Sequence, residues 1–214
     1  LECEFSTQGT LYVWRDPAEF AHAQELADTL NPLGLSTQVI DAATLAKMEP
    51  TLRPGVAGGL HHQRDAQLRP ERYAAELARR VRELGGEIIE ETSITGVATE
   101  RGEIQSVITG CGRFQAREYL LALGAWSPLL GRQLGLKIPI QPGKGYSITF
   151  NRPSNCPRLP LVLKERSVCV TAWGSGFRLG STMEFSGYDD SLNRQRLDAL
   201  IRAAREYLHE AHGP

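Results

Sequence analysis

The chain changes its hydrophobic rhythm once, near Pro139, and that change restricts the folds open to it. Before it, Leu120, Leu121, Ala122 and Leu123 form an apolar run without alternation, the pattern of a strand covered on both faces in a parallel sheet. After it, GYSITF alternates through Tyr146, Ile148 and Phe150, and SVCVTAW through Val168, Val170 and Ala172, as half-buried antiparallel strands do. One uniform sheet does not satisfy both patterns. The sequence therefore predicts a mixed α/β and α+β chain.

Local signals fill in the elements. Thr10 to Trp14 is strand-like, and Asp16-Pro17-Ala18-Glu19 offers a cap acceptor, a proline at the first helical position and a glutamate at N3. Phe20, Ala23, Leu26, Ala27 and Leu30 mark one buried stripe of that helix, which Asn31 to Gly34 stops. A strand at Thr37 to Ile40 leads into a short helix capped by Asp41 and ended by Pro50. Pro70 starts the clearest helix, with Tyr73, Ala74, Leu77, Val81 and Leu84 on one face, closed by Gly85-Gly86. Strands are predicted at Ile88-Ile89, Ile94 to Ala98, Glu103 to Ile108 and Phe114 to Leu123, then a meander of Leu161 to Lys164, Val168 to Trp173 and Phe177 to Met183, and a last helix over Leu192 to His209.

Composition excludes several function classes. Hydrophobic residues at 41% and charged residues at 23% of 214 allow a real core. A net charge of -1 provides no broad attraction to nucleic acid. No apolar stretch approaches the roughly 20 residues of a membrane span, and the N-terminus has no signal-peptide pattern, so a cytoplasmic location is expected, with membrane association only through an electron acceptor. Cys3, Cys111, Cys156 and Cys169 lack C-x-x-C spacing and read as free thiols. His61-His62 with Asp65 brings no further ligand set, and no metal site is expected. Gly174-Ser175-Gly176 enters a strand and reads as a hairpin turn, not a dinucleotide fingerprint. Arg178 and Glu184 read either as functional charges or as a cross-strand pair.

Gly124 and Ala125 stand where the apolar run ends, the place at which open α/β sheets admit ligands, and Ser127 is expected to cap the helix beginning at Pro128. A turn needing small residues only for packing explains the same segment. Lys144 and Tyr146, flanking Gly145, are candidates to point into a cleft or to be strand residues with structural partners.

TQGTLYVW, AATLAKMEPTL, VAGGLHH, RPERYAAELARRVRELGGEII, LALGAWSPLL, LGLKIPIQPGKGYSITF and FRLGSTMEFSGYD, in this order, resemble successive blocks of the FAD-dependent D-amino acid dehydrogenase and glycine oxidase (DAO) family. The resemblance implies part of an FAD-binding α/β domain plus a substrate domain with a mixed, largely antiparallel sheet. Residues 1–54 and 143–214 would be substrate domain, and residues 55–142 the FAD side. It implies FAD contacts from Val97, in the strand at Ile94 to Val97, and from Gly124, Ala125, Trp126 and Ser127, with Lys144 and Tyr146 as substrate-side candidates and the catalytic residues unknown.

By the same resemblance, the expected reaction oxidises a D-amino acid or small amine to the imine and then the oxo acid, hydride passing from Cα to flavin N5, with quinone or oxygen as acceptor. Sarcosine-type or glycerol-3-phosphate-type flavoenzymes and a non-catalytic binding or folding module are the alternatives. Family members begin with a glycine-fingerprint βαβ unit and end with a segment carrying the arginine for the substrate carboxylate. Neither is read here, so a central fragment, inactive alone, is expected.

Overall fold

The computed structural model describes residues 1–209, in two units. The first comprises Leu1–Leu77, Gly145–Met183 and the residues from Ser191 on; the second comprises Ala78–Lys144 and Glu184–Asp190. Residues 210–214 of the expected last segment lie outside the described residues.

In chain order the elements are β1 (Thr10–Trp14), α1 (Pro17–Ala21), α2 (Ala23–Leu30), β2 (Thr37–Asp41), α3 (Ala42–Met48), β3 (Gly58–His62) and α4 (Pro70–Glu83). There follow β4 (Ile94–Glu100), β5 (Glu103–Thr109), β6 (Gly112–Phe114) and α5 (Ser127–Gln133). The chain closes with β7 (Lys144–Phe150), β8 (Leu161–Leu163), β9 (Val168–Trp173), β10 (Gly176–Glu184) and α6 (Arg194–Tyr207).

The first unit is built on a seven-stranded sheet in the order β2-β3-β1-β8-β9-β10-β7. β1 and β8 pair in parallel; β2 with β3, β3 with β1, β8 with β9 and β9 with β10 are antiparallel, so the expected mixed, largely antiparallel sheet is present. Alternation in the strands puts Leu11, Val13, Leu161, Leu163, Val170 and Leu179 on one face, where they are buried with Leu200, Ala204 and Tyr207 of α6. Each such leucine removed from water contributes roughly 1.5–3 kcal/mol. The other face carries Trp14 and Leu60, covered by Ala23 and Ala27 of α2. The helix expected over Asp16 to Leu30 is two helices, because His22 closes α1 on Glu19 and Phe20 carbonyls before α2 begins. Asp16 and Asp41 cap α1 and α3 as expected, accepting from the Ala18 and Thr44 N–H groups.

The second unit holds a small antiparallel sheet, β4-β5-β6, and α5. Here two expectations are corrected. Phe114 to Leu123 is not a strand beyond Phe114, and Leu120 is 92% exposed; among the described residues no strand lies beside it to supply a ladder, so the apolar run is irregular. Ile88-Ile89 likewise forms no strand. α4 forms where predicted, yet Tyr73, Leu77, Val81 and Leu84 are exposed and none of its residues is buried, since no described element covers that stripe. The expected cut between residues 54 and 55 falls inside the first unit, whose sheet contains β3; the first junction between units along the chain lies within α4, and the next follows Lys144.

Candidate functional site

The small-residue segment that follows the apolar run is a single 3-10 turn, Gly124–Trp126, which feeds directly into α5. Gly124 has φ +53, in the left-handed region that glycine enters without strain, and a Cβ built there would meet nothing within 4 Å. Glycine is required here by conformation, not by crowding. The main chain is consequently bare toward solvent. Trp126 beside it is 62% exposed, Ala125 is half-buried, and Ser127 turns inward at 7% exposure.

Ser127 does not cap the helix as expected. It is the first residue of α5, and Trp126 stands at the cap position without a side-chain cap bond, because the preceding 3-10 turn already brings the backbone in with helical angles. The Ser127 N–H instead donates to the Gly124 carbonyl, and Pro128 has no N–H to satisfy.

A cleft of about 200 Å³ opens beside the turn, lined by Ala125, Trp126, Gly143, Lys144, Tyr188 and Asp189 among others. Its far wall is the segment Glu184–Asp190, which belongs to the same unit. Three contacts fix that wall. The Tyr188 hydroxyl donates to the Ala125 carbonyl at 3.0 Å, Lys144 Nζ donates to the Asp189 carbonyl at 3.0 Å, and the same ammonium lies 3.6 Å from a Glu184 carboxylate oxygen. Lys144 thus has structural partners, and its charge is offset by Glu184 and, at 4.0 Å, by Asp189.

Val97 of β4 is half-buried and lines a different, apolar cavity of about 230 Å³, together with Ile94, Tyr119, Leu123 and Leu130. The structure therefore brings Val97 into the same unit as Gly124 to Ser127 but not onto the same cleft. Tyr146 goes elsewhere. It is 3% exposed in the core of the first unit, and its hydroxyl accepts from the Asn193 N–H at 3.3 Å. Tyr188 and Asp189 were not singled out from the sequence. The only local signal for them is the turn composition of SGYDD, where Gly187 takes φ +67.

The remaining candidates fall into place as structure. His61 and His62 point to opposite faces of β3: the His61 ring approaches the Gln8 carbonyl at 3.0 Å, while the His62 ring centroid lies 4.4 Å from that of Tyr12. Arg178 pairs with Glu71 at 2.8 Å and not with Glu184. Gly174 and Ser175 are the β9–β10 hairpin turn. The four cysteines are free, Cys3 and Cys156 buried, Cys111 and Cys169 exposed. Among the described residues no helix is long and apolar enough to cross a membrane.

Comparison with known proteins gives one family. The model of the FAD dependent oxidoreductases (DAO) matches residues 1–213. D-amino acid dehydrogenase of Dechloromonas aromatica is 30% identical over 216 residues, covering 96% of this chain and 52% of that protein. D-amino acid dehydrogenase of Agrobacterium fabrum is 32% identical over 213 residues, covering 93% and 49%. The chain thus spans about half the length of the curated relatives it matches. In fold it is similar to glycine oxidase from Geobacillus kaustophilus, with a TM-score of 0.86 at 20% identity over 97% of this chain and 56% of that one. Glycine oxidase from Bacillus cereus gives a TM-score of 0.85 at 15% identity, covering 97% and 57%.

Proposed function

Because the chain belongs to the FAD-dependent oxidoreductase family, we propose that the protein carrying it oxidises D-amino acids, or small amines, to imines that water converts to oxo acids. The observation that carries this reading is the 30–32% identity to enzymes named D-amino acid dehydrogenase, sustained over more than nine-tenths of the chain. A flavin fits one feature of the second unit. A planar ring system needs a main chain it can approach without side chains intervening, and the open Gly124 turn beside the exposed Trp126 ring provides one.

In this reading Gly124, Ala125 and Trp126 hold part of the cofactor, and Val97 contributes apolar surface nearby. FAD, when bound, accepts the two electrons that leave the substrate as its carbon–nitrogen unit is oxidised. The chain's own residues position. Tyr188, by donating to the Ala125 carbonyl, holds the turn's backbone, and Lys144 keeps the Glu184–Asp190 wall in place through Asp189. Resemblance of GKGYSITF to the dehydrogenase version favours transfer to a quinone or carrier over direct transfer to oxygen.

The test is spectroscopic. The purified gene product supplied with FAD should be yellow, and its flavin absorption should bleach under anaerobic D-alanine and not under L-alanine. Substituting Gly124→Val should weaken FAD retention on gel filtration at least tenfold, since a β-branched side chain is strained at this φ and would project onto the open face. A colourless protein that takes up no FAD, or a bound flavin that no D-amino acid in a panel reduces, overturns the reading. Bleaching by sarcosine or glycerol 3-phosphate alone would replace the substrate.

A further inference from the structure

On the face of the seven-stranded sheet away from α6, a row of residues crosses four strands of the first unit. Tyr12 is opposite Val162, Val162 opposite Cys169, and Cys169 opposite Gly180. Residues directly opposite in a ladder share a face, so the row descends from an aromatic ring through a valine and a thiol to no side chain at all. It forms a trough. Val162 is half-buried, Cys169 is exposed, and a Cβ added at Gly180 would touch only Ser147, at 3.8 Å.

A cation stands over the Tyr12 end. Lys164 Nζ lies 5.0 Å from the centroid of the Tyr12 ring and 5.7 Å from that of Trp14. Ring faces hold an ammonium through their quadrupole without cancelling its charge. Among the described residues Lys164 makes no ion pair. The neighbouring carboxylate is occupied: Glu165 Oε1 accepts from the Arg15 and Asp16 N–H groups at 2.7 and 2.8 Å, and Oε2 accepts from the Tyr207 hydroxyl. Arg178, on the same face, is already offset by Glu71 at 2.8 Å. His62 completes the recess beside Tyr12, and its Nε2 is buried without a hydrogen-bond partner. Burial lowers the His62 pKa against the pull of Asp65, which keeps the ring neutral near pH 7 and leaves the full positive charge of the recess with Lys164.

We propose that Lys164, with Tyr12 and His62, binds the carboxylate of a small organic acid whose body lies along the Val162–Cys169–Gly180 row. The ligand's identity as an amino or oxo acid rests on the reading proposed above, and the cation is additional to the arginine that the family resemblance assigns to a C-terminal segment. His62 lines the recess through its ring, which packs beside that of Tyr12 with centroids 4.4 Å apart. Lys164 is a substrate-binding residue in this scheme, and the trough excludes side chains larger than its floor admits.

Cys169 reports occupancy directly. In the purified protein its rate of alkylation is followed by mass spectrometry of the thiol-bearing peptides, with exposed Cys111 of the second unit as the internal reference and Cys3 and Cys156 buried. Surrounding protein desolvates the Cys169 thiol and raises its pKa although the residue is open to reagent, and hydrogen bonds with Thr109 and Thr92 lower that of Cys111, so the reference reacts first. Saturating pyruvate or D-alanine should slow alkylation of Cys169 at least fivefold and leave Cys111 unchanged, whereas ethylamine, which has no carboxylate, should protect neither. Lys164→Arg should retain the protection and Lys164→Met should lose it, both variants keeping the wild-type circular dichroism. A merely structural lysine would shift the melting temperature of Lys164→Met and leave protection intact. Equal protection in Lys164→Met and wild type, or no protection of wild type by either carboxylate, overturns the proposal. An unbleached flavin with Cys169 still protected would instead count against the oxidoreductase reading.

Discussion

Glu49 is completely buried, and its carboxylate is satisfied by one neighbouring hydroxyl and by two N–H groups far away in sequence. One oxygen accepts from the Arg158 and Leu159 N–H groups at 2.8 and 3.2 Å, the other from the Thr51 hydroxyl at 2.9 Å. The side chain therefore ties the end of α3 to the loop that leads into β8. Removing it strands three donors in the interior, and each unmet buried donor costs about 1–3 kcal/mol. Glu49→Ala is expected to lower unfolding free energy by about 3 kcal/mol in urea titration, and Glu49→Gln, which keeps one acceptor, by less than half of that. A loss under about 1 kcal/mol in Glu49→Ala would mean that the carboxylate is not the clamp. The exposed Arg166–Glu206 pair, at 2.7 Å, offers a control worth about 1 kcal/mol at most. Nothing in MEPTLRP announces this role. Local pattern shows only a helix stopped by Pro50, because the Arg158 and Leu159 N–H groups that meet Glu49 are more than a hundred residues away.

Elements were legible wherever their cause is local. The aspartate caps of α1 and α3, the proline start of α4 and the alternation of β7 and β9 all act within a few residues, and each appears where the pattern puts it. Burial was legible only where the covering element lies among the described residues. The stripe of α4 and the run Leu120–Leu123 carry the composition of covered surfaces, but a pattern says that a face suits burial, not what buries it. Gly124 to Trp126 was located correctly as a break by its small residues, while the 3-10 turn displaced the expected Ser127 cap. Hydrogen exchange tests the corrected reading. The amides of Leu120 to Leu123, outside any ladder, should exchange at least a hundredfold faster than those of Val168 to Val170, which lie between β8 and β10. Comparable protection in the two segments would restore Leu120–Leu123 as a strand.

At the scale of the whole molecule, the hydrophobic stabilisation is unevenly divided. Among the described residues every buried aliphatic, aromatic or cysteine side chain belongs to the first unit, whereas the buried positions of the second are Gly96, Ser106, Ser127, Pro128 and Gly131. Apolar area removed from water is the main favourable term in folding, so the second unit should open at lower free energy. The tryptophans make this measurable. Trp14 and Trp173 are each 5% exposed in the first unit, and Trp126, at 62%, is in the second, so a Trp126→Phe variant fluoresces from the first unit alone. On heating without cofactor, its fluorescence transition should lie above the onset of far-ultraviolet dichroism loss, which senses both units. Adding FAD to the wild-type protein should raise the lower transition selectively, since a ligand held by the native Gly124–Trp126 turn stabilises only the unit that contains it. The gain is about 2.7 kcal/mol when free FAD is a hundredfold above its Kd. Coincident transitions without FAD would show one cooperative block, and an FAD effect confined to the upper transition would remove the Gly124–Trp126 turn from the cofactor's binding surface.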